Sequence, residues 1–563
     1  MKLHFIGADH EVTGSLHFLE VCGLNILVDC GMEQGRNYYE NAELPVPYSD
    51  VDYILLTHAH IDHAGMIPSA LRKGFNGTVL TTNATKSLSE IMLRDSAYIQ
   101  MQEAEWRNRK AMRAGQPKVE PIYDLNDAAA ALEHFRGVPY HEMVELGDGL
   151  EVCFIDAGHL LGSASIVLHI EEDGIRKTVV FSGDIGNFNK PMIRDPEYIE
   201  EADYVIMEST YGDRLHETSV DHIADLVSIT QRTLDRGGNV ILPAFAVGRT
   251  QELLYLYRKI KLGGMISGHD GFPVYVDSPL AVDATHVFTN NLKECYDDET
   301  RAIVEAGQNP IAFRGLKLSI TLDESKAINF DDEPKVIISA SGMCDAGRIR
   351  HHIKHNVWRP ESTIVFAGYQ AEGTLGRLLL DGAEEIRLFG EDFTVRAEIA
   401  TMPAMSSHAD QQGLLKWIGA FRTGLDRVFL VHGEDRSMEV LSGLIREQGR
   451  TVDCPYSGSV FDLAGNTWIT EAEPVPYEKE KHADTGERLE NGRAGVVSSM
   501  YDAVVKSGKG IEKRRPASDA QFQRLEKIYE KLGETIRANY GGANRDLARF
   551  ASQLQSICDK WAR

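Results

Sequence analysis

The stretch Thr57-His58-Ala59-His60-Ile61-Asp62-His63 constrains this chain more than any other. It follows Asp52-Tyr53-Ile54-Leu55-Leu56, an apolar run rich in strand formers. A strand ending in four metal-type side chains predicts a rigid rod with ligands at its tip. Imidazole and carboxylate suit zinc and related divalent ions. So short a loop cannot aim all four donors at one ion without strain. It can give His58 and His60 to one ion and Asp62 and His63 to a neighbour, as a two-metal hydrolase requires. A histidine-rich surface loop is the bland alternative, and the buried strand before it argues for metal.

Other strand ends carry isolated donors of the same kind. Asp29 closes Leu27-Val28-Asp29 and reads equally as a turn carboxylate or as an acceptor that orients a metal-bound imidazole. His159 lies in Gly158-His159-Leu160, and after the first cluster a third ligand is favoured over a packing histidine. Asp184 ends Val179-Val180-Phe181-Ser182-Gly183-Asp184, placed to bridge two ions or to cap a turn, with the bridge favoured. His432 follows the apolar run 426–431 and suits the second ion. Glu208 follows the strand 204–207, and His408 sits in Ser406-Ser407-His408-Ala409-Asp410.

Length and charge bound the rest. A chain of 563 residues exceeds one ordinary core, so two or three domains are expected. Seven scattered cysteines without a C-x-x-C pair argue for a reducing compartment and against thiolate zinc. The N-terminus enters a strand without the apolar core of a signal peptide, and no apolar run reaches membrane-spanning length, so a cytoplasmic protein is expected. The net charge of −25 disfavours nonspecific nucleic-acid binding, although residues 491–563 carry a net +6.

From residue 221 helix and strand alternate, which suggests a parallel sheet with its own core. Small residues follow its strands at 243–249, 277–279, 339–344 and 373–377. Such loops expose N–H groups that suit phosphate, and Arg249, Ser341, Gly342 and Arg377 are the candidate contacts. Residues 476–497 are charged and turn-rich, as a linker is. Residues 498–563 show helical spacing and predict a packed hairpin, with dimerisation or RNA contact as the sharper reading.

The ordered set Asp29, His58/His60/Asp62/His63, His159 and Asp184 resembles the metallo-β-lactamase fold. The later set Glu208, Ser407-His408-Ala409-Asp410 and His432-Gly433-Glu434 resembles the added motifs of the β-CASP nucleases of RNA processing. The resemblance covers roughly residues 1–465. It implies an α/β chain: an αββα sandwich (1–209 and 391–475) interrupted by a β-CASP cap (210–390), with the helical C-terminal extension unexplained. It implies His58, His60 and His159 on one zinc, Asp62, His63 and His432 on another, Asp184 bridging and Asp29 behind them. Manganese is the implied substitute metal. The implied reaction is hydrolysis of single-stranded RNA, as endonuclease or 5′-to-3′ exonuclease, by a hydroxide activated between two metals. Asp62 would orient the nucleophile, and His408, polarised by Glu208, would protonate the leaving oxygen. A homodimer is the further partner expectation, and no membrane is expected. The alternative is a hydrolase of small esters, thioesters or lactams on the same fold.

Overall fold

The apolar runs of the first thirty residues pair as an antiparallel meander, Lys2–Gly7 with Leu16–Val21 and that strand with Leu24–Val28. Beyond Leu24–Val28 the sheet turns parallel, adding Tyr53–Leu55, Thr78–Thr82 and Phe135–Val138. On its other side Val460–Asp462 pairs with Lys2–Gly7, and Thr467–Thr470 completes eight strands. The far end of the described chain therefore returns to close the sheet that the start opens. The computed structural model describes residues 1–477 apart from 36–37, 217–220, 291, 372 and 403–404.

A second, seven-stranded sheet runs Val452–Asp453, Arg427–Val431, Tyr204–Glu208, Ile175–Phe181, Ala164–Glu172, Leu150–Asp156, Val144–Gly147. Its inner face meets the first sheet through one buried cluster that includes Phe5, Leu55, Phe154, Ile166, Ile206 and Phe429. Each such side chain contributes about 1.5–3 kcal/mol by leaving water. Helices cover both outer faces: Ile67–Arg72 and Leu125–Leu132 on the first sheet, Gln411–Gly419 and Asp435–Glu447 on the second. This is the expected αββα sandwich.

The cap is a six-stranded parallel sheet ordered Leu316–Ser319, Val274–Asp277, Val336–Ser339, Val240–Pro243, Thr363–Phe366, Glu398–Thr401. Near-continuous burial of Val240–Pro243 and Val336–Ser339 reflects helices on both faces. The last strand lies beyond the boundary expected at 390. Its sequence, Glu-Ile-Ala-Thr, is too short and polar to declare its sheet, and it pairs with Thr363–Phe366 at the edge of the cap sheet.

Cap and sandwich share a core. Ala59, Leu88, Leu160 and Leu161 of the sandwich pack in one cluster with Leu253, Val276 and Ala281 of the cap. The helix Asn83–Ala114, capped by Thr82 and stopped at Gly115, packs against the cap helix Pro279–Asn290. Among the described residues no helix is long and apolar enough to cross a membrane. The linker expected at 476–497 and the tail at 498–563 lie outside the described residues, except 476–477.

Candidate metal centre

The strand Tyr53–Leu55 delivers Thr57 and His58 to the sheet edge, and a single helical turn follows at Ile61–Ala64. His58 and His60 stand on the extended segment before that turn, and Asp62 and His63 on the turn itself. Three other strand ends converge on this loop. His159 follows Leu150–Asp156, Asp184 follows Ile175–Phe181, and His432 follows Arg427–Val431. Donor atoms of His58, His60, His159 and Asp184 lie within 4.8 Å of one another, as do those of Asp62, His63 and His432.

Asp184 stands between the two groups. Its Oδ2 is 3.4 Å from His58 Nε2 and 3.5 Å from His159 Nε2, while its Oδ1 is 3.3 Å from His63 Nε2. The side chain is buried, and Oδ1 accepts no hydrogen bond from any described residue. Imidazole nitrogens face each other at 3.0 Å between His58 and His60 and at 3.3 Å between His63 and His432. A ring N–H shared between the two nitrogens, or a cation between their lone pairs, accounts for such a spacing. Hard carboxylate and borderline imidazole donors without thiolate are the set that zinc accepts. The residues therefore fit the metal that the sequence implied.

The electrostatics divide the donors. Burial and the neighbouring His58 push His60 down to about 3. Burial alone would raise Asp184, but the surrounding imidazoles hold it well below the usual carboxylate range. Against burial, Asp184 with Asp29 raises His63 and Asp184 with Asp62 raises His432, so the carboxylates gathered here draw positive charge to those two rings.

Asp29 supports the cradle from behind. Its Oδ2 is 2.6 Å from His63 Nδ1, and its Oδ1 accepts the Thr57 N–H at 2.8 Å. Its φ of 61°, like the 48° of His432, is a rare left-handed setting for a non-glycine residue. Glu208 ends Tyr204–Glu208 beside Val431, fully buried, and its two oxygens each lie 3.2 Å from His408 Nδ1. It also accepts the Ile185 N–H at 2.6 Å, which fixes the residue after Asp184. His408 turns Nε2 toward Asp184 Oδ2 at 3.9 Å and is one-fifth exposed. Burial would lower His408, but Glu208 and Asp184 raise it to about 9, so it carries a proton at neutral pH.

The four cap residues divide. Ser341 and Gly342 lie on the loop after Val336–Ser339, and Arg377 is half-exposed on Leu375–Leu380, paired with Asp381. Arg249 does not face solvent. It begins the helix Arg249–Leu262, is buried, and its guanidinium grips Glu252, which also pairs with Lys190 at 3.0 Å. A buried guanidinium needs a carboxylate, and Glu252 is the one within reach. That reverses the phosphate role expected of Arg249.

Sequence reading missed two residues here. Lys190 donates to the His159 carbonyl at 3.1 Å, although an isolated lysine in Asn189-Lys190-Pro191 gives no signal. His17, on Leu16–Val21, is buried near Asp29 and His63, with burial pushing it down to about 4. Its place in an alternating strand disguised it as packing.

Three family descriptions match in sequence: a beta-lactamase superfamily domain over residues 24–231, a Beta-Casp domain over 250–379, and a Zn-dependent metallo-hydrolase RNA specificity domain over 392–455. A ribonuclease of Thermus thermophilus is 37% identical over 461 residues, covering 81% of this chain and 99% of the relative. The transcription termination factor FttA of Thermococcus kodakarensis is 31% identical over 468 residues, covering 80% and 69%. Its counterpart from Methanocaldococcus jannaschii is 28% identical over 449 residues, covering 77% and 67%.

Proposed function

The chain belongs to the β-CASP family of metallo-β-lactamase-fold, zinc-dependent hydrolases, and from that premise we propose that it cleaves phosphodiester bonds of single-stranded RNA in RNA processing or decay. The observation that carries the reading is Asp184, with one oxygen turned to His58 and His159 and the other to His63. The proposed ligand sets are His58, His60 and His159 for one zinc, and Asp62, His63 and His432 for a second, with Asp184 shared. Manganese is the proposed substitute.

Zinc bound there supplies Lewis-acid charge that acidifies water and neutralises the phosphodiester. Asp62 orients the attacking water and takes its proton. His408, held by both oxygens of Glu208, gives its proton to the departing 3′ oxygen and leaves a 5′-phosphate product. Ser341, Gly342 and Arg377 are the proposed phosphate contacts on the cap side. The matched relatives include a ribonuclease, and nothing in them favours small esters or lactams.

A digest of 5′- and 3′-labelled single-stranded RNA tests the reading, with a chromogenic lactam run in parallel. Zinc-loaded protein should shorten RNA and leave the lactam intact, and Asp62→Ala should slow cleavage at least about 100-fold. Lactam turnover without RNA cleavage would refute it. The label that shortens first separates internal cutting from 5′-to-3′ trimming. Sedimentation of the same sample tests the homodimer.

A further inference from the structure

We propose that Phe245 and Tyr369 form a stacking platform on the cap side of the cleft, which grips unpaired nucleobases beside the cut site. The proposal rests on the RNA reading above and adds how the strand is held.

Phe245 lies just after Val240–Pro243 and Tyr369 just after Thr363–Phe366. Those strands are paired neighbours in parallel register, so both residues leave the same end of the sheet. Phe245 is 54% exposed and Tyr369 55% exposed. Among the described residues no aromatic ring or cation stacks on either. Two large rings kept in water at the same end of one sheet offer a contact surface.

The local packing holds them in place. A Cβ at Gly342 would stand 3.2 Å from two ring carbons of Phe245, so the ring sits directly on a residue without a side chain. Gln370 Nε2 donates to the Gly342 and Tyr369 carbonyls, both at 3.0 Å, which ties the Tyr369 loop to the Gly342 loop on which the Phe245 ring rests.

The Phe245 loop reaches back to the loop that carries His159: a Cβ on Gly248 would stand 3.3 Å from Leu160, the neighbour of His159.

Beyond the proposed Arg377 contact, charge supplies little of the grip. The chain carries −25, and three other cations about the cap loops have internal partners: Arg249 and Lys190 with Glu252, and Arg348 with Asp277. Stacking needs no counter-charge, tolerates any base and demands that the base be unpaired. The occupant is therefore single-stranded RNA.

The test uses full-length zinc-loaded protein and short RNAs in which one abasic residue is moved along the strand. Phe245→Ala and Tyr369→Ala should each raise KM roughly tenfold, with kcat changed less than about twofold. One abasic position should raise the wild-type KM by a similar factor and have little further effect on the alanine variants. Phe245→Trp and Tyr369→Phe should restore wild-type KM, which excludes misfolding as the cause. Unchanged KM in both alanine variants, an abasic penalty that adds in full to theirs, or no restoration by the aromatic variants would overturn the platform alone. A wild-type protein with full zinc that neither binds nor cuts RNA would overturn the platform and the RNA reading together.

Discussion

Asp29 and His408 touch the same cradle from opposite sides, and their removal should have opposite signatures. Asp29 holds His63 Nδ1 and the Thr57 N–H without reaching the donor cluster itself. On the proposed assignment it fixes the tautomer and aim of a ligand, and such supports carry about 10–100-fold in metal affinity. Asp29→Ala should therefore lose zinc to a competing chelator at correspondingly lower chelator concentration. His408 leans on Glu208 and stands 3.9 Å from Asp184. His408→Ala should keep its zinc and lose turnover by about 10²–10⁴-fold, the usual worth of a placed acid. Metal content measured beside RNA turnover separates the two. Full turnover in His408→Ala with normal zinc would remove it from the role of acid.

The elements that carry the ligands meet through glycine. A Cβ on Gly186 would lie 1.9 Å from the Gly158 carbonyl oxygen, so the loops bearing Asp184 and His159 touch backbone to backbone there. At Gly31 it would lie 1.7 Å from the Asp62 carbonyl oxygen. Neither position owes its glycine to a left-handed backbone; each owes it to close approach. Gly186→Ala must push Asp184 away from His159, and we expect both weaker zinc binding and about 2–3 kcal/mol lost in urea unfolding. Stability and zinc affinity equal to wild type would show that the loops can separate without moving the ligands. This contact also marks where sequence reading stops. His58, His60, Asp62 and His63 announced themselves because four donors share one strand tip, and Asp184 and His432 because a polar residue ends an apolar run beside glycine. Each is a local pattern. Lys190, His17 and the strand Glu398–Thr401 have no local pattern, because what defines them is a partner far away in sequence: Glu252, Asp29 and Thr363–Phe366. Arg249 is a different case: its carboxylate Glu252 is only three residues on, and what the sequence hides is the burial of that pair against Lys190.

At the scale of the whole molecule, the cap is joined to the sandwich by charge as well as by the shared apolar core. Lys190 comes from the sandwich, and Glu252 and Arg249 from the cap helix Arg249–Leu262. All three are buried, and Lys190 also donates to the His159 carbonyl. Burial pulls Lys190 down while Glu252 holds it up, so the pair stays ionised only as a pair. One carboxylate thus pairs with two cations, which makes the three positions unequal. Glu252→Gln strands both cations in the interior, and an uncompensated buried charge costs about 3–5 kcal/mol. Lys190→Met removes one cation, leaves Arg249 paired with Glu252, and replaces an aliphatic stem by another of similar length. It should cost less than half as much. Melting followed by calorimetry on the two variants should therefore rank Glu252→Gln well below Lys190→Met, with wild type above both. The reverse order would mean that the lysine contact with the His159 carbonyl, and not the carboxylate, fastens the cap to the loop that presents the ligand.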